Sequence, residues 1–115
     1  MNNLSFMRVK ETISNWLKSN EKLENNNVPV QMLINNESLL RAVLIFGECL
    51  AEIRVVEKPE FAPFRFVCFE MMGIEHGEIS AVHTWYDDEN TTLDDIIKSL
   101  DKAVDLALEY IELER

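Results

Sequence analysis

The sequence predicts an α+β domain: an amphipathic helix, a five-stranded antiparallel meander sheet, then a second helix. Apolar residues recur at three- and four-residue spacing near the start of the chain and again over its last quarter, which is typical of helices. Between them, short runs rich in β-branched and aromatic residues are separated by turn residues, as in antiparallel strands. A chain of 115 residues with 47% hydrophobic content is long enough to form one domain, 1–115, around its own core.

The first helix is indicated by apolar residues that recur from Phe6 to Leu23. Ser5 precedes this segment, and its hydroxyl can accept a hydrogen bond from the first helical turn. We expect the helix to end near Glu24, because three asparagines follow and Pro29 cannot continue it.

Five strands are predicted, and a tight turn at Gly47 should join the second to the third, since glycine at this position favours a type II′ turn. Charged residues between 37 and 52 also fall on one helical face, so a single helix over residues 38–54 is an alternative. The β-branched residues Val43, Ile45 and Ile53 favour strands. The predicted strands are Val28–Ile34, Leu39–Phe46, Cys49–Glu57, Phe64–Met72 and Glu78–Tyr86.

The last helix follows Thr91 and Thr92, which can cap it, and has Asp94 and Asp95 near its positive amino end. Residues 87–115 contain ten acidic and three basic side chains, so they carry −7 of the net charge of −10. An acidic helix of this kind is usually a solvated face. As an alternative function, this C-terminal helix would mimic nucleic acid and block a basic surface of another protein.

Charge and cysteine content exclude several functional classes. A net charge of −10 argues against binding to DNA, RNA or an anionic membrane, because attraction to phosphate needs an excess of lysine and arginine. The first residues lack the pattern of a signal peptide, and no apolar run approaches the ~18 residues of a membrane span. Cys49 and Cys68 both lie in apolar runs, which fits a reduced, cytoplasmic protein.

An antiparallel meander fixes which side chains share a face of the sheet, because successive side chains alternate. We expect both helices to pack on one face, the inner face, and the other, the outer face, to mix apolar and charged groups. A three-residue first turn would add Val30, Met32 and Ile34 to the inner face. The inner face should hold Leu40, Ala42, Leu44, Phe46, Cys49, Ala51, Ile53, Val55, Val67, Phe69, Met71, Ile79 and Ala81. The outer face should hold Arg41, Val43, Ile45, Leu50, Glu52, Arg54, Val56, Phe64, Phe66, Cys68, Glu70, Val82, Thr84 and Tyr86.

The outer face is more apolar than a solvated sheet surface, which indicates a homodimer or another protein partner. Alternatively, one helix crosses to this side and covers it. Glu52 and Glu70 could form an acid–base pair, but the nearby arginines favour an ordinary ladder of ion pairs around an apolar centre. The predicted partner-binding residues are Arg41, Val43, Ile45, Arg54, Phe64, Phe66 and Tyr86.

A small-molecule or enzymatic site is the competing prediction, in a cavity near Arg65, His83 and Trp85 at the end of the inner face. Arg65 is expected opposite Trp85, within reach of a cation–π contact. The sequence has no HxxxH, HExxH or CxxC pattern and no nucleophile motif. We therefore expect no metal, no cofactor and no enzymatic activity.

Overall fold

The computed structural model describes residues 4–59, 63–75 and 77–113 and confirms the α+β prediction. Its sheet has five strands in the order β1-β2-β3-β4-β5, and every neighbouring pair is antiparallel. The alternative of one helix over residues 38–54 is wrong. The elements are α1 (Phe6–Lys18), α2 (Glu21–Asn25), β1 (Val30–Asn35), β2 (Leu39–Phe46), β3 (Cys49–Val56), β4 (Val67–Glu75), β5 (Glu78–Tyr86) and α3 (Leu93–Leu113).

The first helical segment begins where predicted but is divided in two. The Ser5 hydroxyl accepts a hydrogen bond from the Arg8 backbone N–H at 3.2 Å, which confirms the N-cap. Helix α1 ends at Lys18, and the side chain of Asn20 then caps α2 by accepting from the Leu23 N–H at 3.1 Å. The expectation of one helix through Glu24 was therefore wrong, because Asn20 starts a new helix.

Two short turns set the pairing of β2 with its neighbours. At the first, the Asn36 side chain accepts hydrogen bonds from the backbone N–H groups of Ser38 and Leu39, both at 3.0 Å. At the second, φ is +63° at Gly47 and not positive at Glu48, which agrees with a type II′ turn.

Helix α3 begins with a reciprocal cap. The Thr92 hydroxyl accepts from the Asp95 N–H at 3.1 Å, and the Asp95 carboxylate accepts from the Thr92 N–H at 3.0 Å. These hydrogen bonds lower the pKa of Asp95. The carboxylate also lies at the positive end of the helix dipole, so this cap fixes the start of α3.

The helices pack on the inner face of the sheet, as predicted. The core consists of the apolar stripes of the helices and the inward side chains of β2, β3 and β4. In the helices its buried apolar residues are Phe6, Val9, Ile13, Trp16, Leu17, Leu23, Ile96, Leu100, Ala103, Val104 and Ala107. In the sheet they are Leu40, Ala42, Leu44, Phe46, Cys49, Ala51, Ile53, Val55, Val67, Phe69 and Met71.

A β-bulge in β5 changes which of its side chains face inward. Met71 pairs with His83 and Met72 with Ala81, so Val82 is the extra residue. Beyond the bulge, Ala81 and Ile79 lie on the outer face, and Val82 packs against the core. All three had been expected on the opposite faces, because simple alternation assumes an uninterrupted ladder.

A second bulge affects β1. Met32 pairs with Ala42, but Ile34 pairs with Arg41, so Ile34 faces outward and not inward as expected. Val30 and Met32 remain on the inner side. Both are exposed, because β1 is the edge strand.

Within the described ranges 4–59, 63–75 and 77–113, none of the helices is long and apolar enough to cross a membrane.

Candidate interface on the outer face of the sheet

The outer face lies opposite the helical layer and is only partly shielded from solvent. On β2 and β3 its side chains are half-buried or exposed, whereas the alternating inner residues are buried. As observed, the outer face consists of Gln31, Ile34, Leu39, Arg41, Val43, Ile45, Leu50, Glu52, Arg54, Val56, Cys68, Glu70, Met72, Ile74, Ile79, Ala81, Thr84 and Tyr86, with Phe64 against its end.

Four charged side chains form a ladder across the middle of this face. Arg41 binds Glu52 at 3.1 Å, Arg54 binds Glu52 at 3.2 Å, and Arg54 binds Glu70 at 2.8 Å. This confirms the predicted cross-strand ion pairs. Two arginines and two glutamates cancel, so the charge ladder is neutral in a chain whose net charge is −10.

Strand register places like charges side by side in this ladder. Arg41 pairs with Arg54 across β2 and β3, and Glu52 pairs with Glu70 across β3 and β4. The attractive contacts therefore join an arginine row to a glutamate row. Arg41–Glu52 and Arg54–Glu70 run diagonally between strands, and Arg54–Glu52 runs along β3. These side chains are 30–43% exposed, so each ion pair by itself contributes about 0–1 kcal/mol to stability.

On one side of the ladder lies the apolar end of the face. Leu50 is 49% exposed, Met72 41%, Ile74 45% and Ile79 74%. They line a depression of about 620 Å³ together with Val43 and three members of the ladder, Glu52, Arg54 and Glu70. A group of large exposed side chains on one face is the usual mark of a binding surface.

On the other side lies the aromatic end, formed by Val56 and Phe64, with Tyr86 beside it in the arginine row. The rings of Phe64 and Tyr86 stack with centroids 6.0 Å apart, and the Arg54 guanidinium lies 6.0 Å from the centroid of Phe64. The sequence had predicted an apolar centre ringed by charges. That arrangement is wrong, because the charges lie between two apolar ends.

Of the seven predicted partner-binding residues, Phe66 is the one that lies on the inner side of the sheet and not on the outer face. Its ring makes an edge contact with Phe6 of α1, with centroids 6.2 Å apart, and it packs against the core. The predicted strand Phe64–Met72 begins later than expected, since β4 starts at Val67 and residues 63–66 are bends. Alternation therefore does not extend to Phe66.

The sequence-based site lacked the four members of the apolar end. Leu50 and Met72 follow the alternation of β3 and β4, so that pattern could have placed them in the site. Ile74 and Ile79 pair with each other beyond the predicted end of β4. No local signal showed that β4 continues so far or that a bulge turns Ile79 outward.

Cys68 lies in the arginine row and is buried. Its thiol contacts the Arg54 guanidinium at 3.4 Å and the Glu70 carboxylate at 3.2 Å. Burial, reinforced by the hydrogen bond to Glu70, raises the pKa of this thiol to about 11. Its thiolate form is therefore scarce at neutral pH, which disfavours Cys68 as a nucleophile.

The residues of the competing small-molecule site do not make the expected contacts. Phe69, not Arg65, lies opposite Trp85. The Arg65 guanidinium lies 4.9 Å from the ring centroid of Phe66 and donates to the Leu4 carbonyl at 3.2 Å. The predicted Arg65–Trp85 pairing is therefore wrong.

His83, the third residue of that site, pairs with Met71 on the inner face, 6.1 Å from the Phe69 ring. Burial lowers the pKa of His83, and nearby Lys102 lowers it further. The imidazole is therefore mainly neutral at physiological pH.

Acidic side chains of α3 are largely engaged within the chain. Asp101 accepts a hydrogen bond from the Trp16 indole at 2.9 Å, and Asp105 pairs with Lys22. Asp94 pairs with Lys98 one turn further along the helix. The contacts of Asp101 and Asp105 hold α1 and α2 to α3, which gives these two acids a structural role.

In the ranges that the structure describes, no group of three His, Cys, Asp or Glu side chains could hold a metal ion. No family model matches the chain, and neither a curated protein nor a solved structure matches it.

Proposed function

We propose that this chain is a small, non-catalytic protein-binding domain that forms a homodimer through the outer face of its sheet. The observation that carries the proposal is the apolar end, where Leu50, Met72, Ile74 and Ile79 are 41–74% exposed around one depression. Burying apolar surface stabilises a complex by about 25 cal/mol per Å². A standard interface covers ~800 Å² on each partner.

The charge distribution supports a second copy of the chain as the partner. Two copies, each with a net charge of −10, repel one another through most of their surfaces. The charge ladder at the middle of the outer face is neutral, so two copies meet there with little repulsion. Both cysteines are buried in apolar strands, which fits a reducing compartment such as the cytoplasm.

Sedimentation of the purified protein and a Leu50→Glu variant tests the proposal. The side chain of Leu50 points away from the core, so glutamate there should leave the fold intact. It should weaken the dimer at least about a hundredfold, because an unpaired carboxylate would be buried in the interface.

Met7 offers a matched control. It is 57% exposed, close to the 49% of Leu50, but it lies on helix α1 and away from the outer face. Met7→Glu should sediment as the wild type does. A monomeric wild type, or equal effects of the two substitutions, would contradict the proposal.

A further inference from the structure

We infer that two copies of the chain pack sheet against sheet about a twofold axis that crosses the strands at the level of Ile53. In this arrangement Glu52 of each copy faces Arg54 of the other. The inference rests on the proposed homodimer and specifies its geometry. It follows from the register of the charge ladder, from the order of residues along β3 and from the two apolar ends of the outer face.

The register restricts how two outer faces can meet. A twofold axis between two stacked sheets can run along the strands or across them. An axis along the strands leaves the position of each residue along the strand direction unchanged. The arginine row, with Arg41 and Arg54, would therefore face the arginine row of the other copy. The glutamate row, with Glu52 and Glu70, would also face itself. Such juxtaposed like charges disfavour that arrangement.

An axis across the strands reverses the order of residues along the strand direction. If it passes between the two rows, the glutamate row of each copy faces the arginine row of the other. The outward residues of β3 then exchange in pairs about Ile53, so that Glu52 lies over the partner's Arg54 and Leu50 over the partner's Val56. Stacked sheets lie ~10 Å apart, a gap that arginine and glutamate side chains can bridge from opposite sides.

The apolar groups agree with the same axis. The operation that exchanges the two rows also brings the apolar end of one copy over the aromatic end of the other. The depression beside Met72 and Ile74 then faces the end of the partner's outer face that carries Val56 and Phe64. Charged side chains thus meet at the centre, and apolar side chains meet on both sides of it.

Charge reversal tests the arrangement. Glu52→Arg places an arginine opposite the partner's Arg54, and Arg54→Glu places a glutamate opposite the partner's Glu52. Each single variant alone should dimerise at least about tenfold more weakly than the wild type. Mixed together, the two variants should form a heterodimer of wild-type affinity, because both cross-copy pairs then join opposite charges, one with its original sign and one with the sign reversed.

The double variant Glu52→Arg/Arg54→Glu is the second test. It preserves an opposite-charge pair between positions 52 and 54 within each chain, so it remains usable if a single variant fails to fold. It should form homodimers of its own. It should not exchange subunits with the wild type, because like charges would then face one another in both pairs. Native mass spectrometry follows the exchange, with the wild type labelled with nitrogen-15 because the two chains have equal mass.

The outcomes separate this inference from the proposed function. A wild-type dimer that exchanges freely with the double variant would overturn the arrangement and leave the homodimer standing. The same holds if the mixed single variants do not associate more tightly than either does alone. A wild type that is monomeric, with Leu50→Glu sedimenting in the same way, would overturn both.

Discussion

Asp87 connects the end of β5 to the segment that leads into β4. The residue is 2% exposed, and its carboxylate accepts hydrogen bonds from three consecutive backbone N–H groups, those of Arg65, Phe66 and Val67, at 2.8–2.9 Å. The donors are the last two residues before β4 and its first residue, so the carboxylate satisfies the N–H groups where this strand begins. This carboxylate holds the chain where it leaves the sheet and brings Phe66 against α1.

Two opposing effects act on the pKa of the Asp87 carboxylate. Burial raises its pKa from the ordinary 3.8, and the backbone donors lower it, with burial the larger effect. A raised folded-state pKa means that the folded protein binds the proton more tightly than the unfolded chain does. The stability that Asp87 contributes is therefore full below 3.8 and is lost as pH rises through the raised value.

Asp87→Asn removes the titrating group at this position. Comparing the pH dependence of its stability with that of the wild type therefore separates the effect of Asp87 from the effects of the other carboxylates. The unfolding free energy of the wild type minus that of the variant should fall between acidic and neutral pH. Urea denaturation of both proteins over a pH series measures the difference. If the difference increased with pH, the three N–H donors would outweigh burial.

At the scale of elements, Gly73 sets how closely α3 approaches the sheet. A Cβ added at Gly73 would lie 2.5 Å from the Tyr110 hydroxyl oxygen, 2.8 Å from Cζ of that ring and 3.0 Å from Cγ2 of Val82. The Tyr110 hydroxyl donates to the Ile74 carbonyl at 3.3 Å. The glycine therefore leaves room for the end of α3 to contact β4.

Gly73→Ala should lower the unfolding free energy by roughly 1–3 kcal/mol, the usual effect of overpacking. The same substitution in a Tyr110→Ala background should be much less costly, because the ring that it meets is gone. Urea denaturation of the wild type, the two single variants and the double variant gives the coupling free energy between Gly73 and Tyr110. Equal losses with and without Tyr110 would show that the close approach does not limit stability.

The contact between Gly73 and Tyr110 also shows why the faces of β5 could not be predicted in full. Ile79, Ala81, His83 and Trp85 alternate without interruption, so the sequence favours a regular strand. The bulge at Val82 turns that residue toward Gly73 and the end of α3, which is far away in the sequence. Local alternation carries no information on a packing choice of this kind.

Where local signals and tertiary packing agree, prediction from sequence succeeded. Strand β2 was placed with its observed bounds, Leu39–Phe46, since its alternation is regular and Gly47 fixes the turn that follows. The ion pairs of the ladder followed from the same alternation. The position of Phe66 did not, because it depends on Phe6 and Asp87, residues of other elements.

At the scale of the whole molecule, the acidic groups and the apolar surface are separated. The acids of α3 belong to the helical layer, where Asp101 and Asp105 hold the other helices. The outer face has a neutral centre and carries the exposed side chains of the apolar end. In the proposed homodimer, this separation would let a strongly acidic chain present one face to a second copy.

Association through this face should link stability to concentration. If the folded chain is a dimer and the unfolded chain is not, a hundredfold increase in protein concentration stabilises each folded dimer by about 2.7 kcal/mol. The melting temperature of the wild type should then rise by roughly 5 °C. For Leu50→Glu it should not change with concentration, because that variant is expected to be monomeric.

Differential scanning calorimetry at low and high concentration measures both proteins in the same buffer. Met7→Glu serves again as the control and should keep the concentration dependence of the wild type, since it leaves the outer face unaltered. A wild-type melting temperature that is independent of concentration would show that folding of this chain is not linked to association. The exposed side chains of the apolar end would then remain in contact with water in the folded protein.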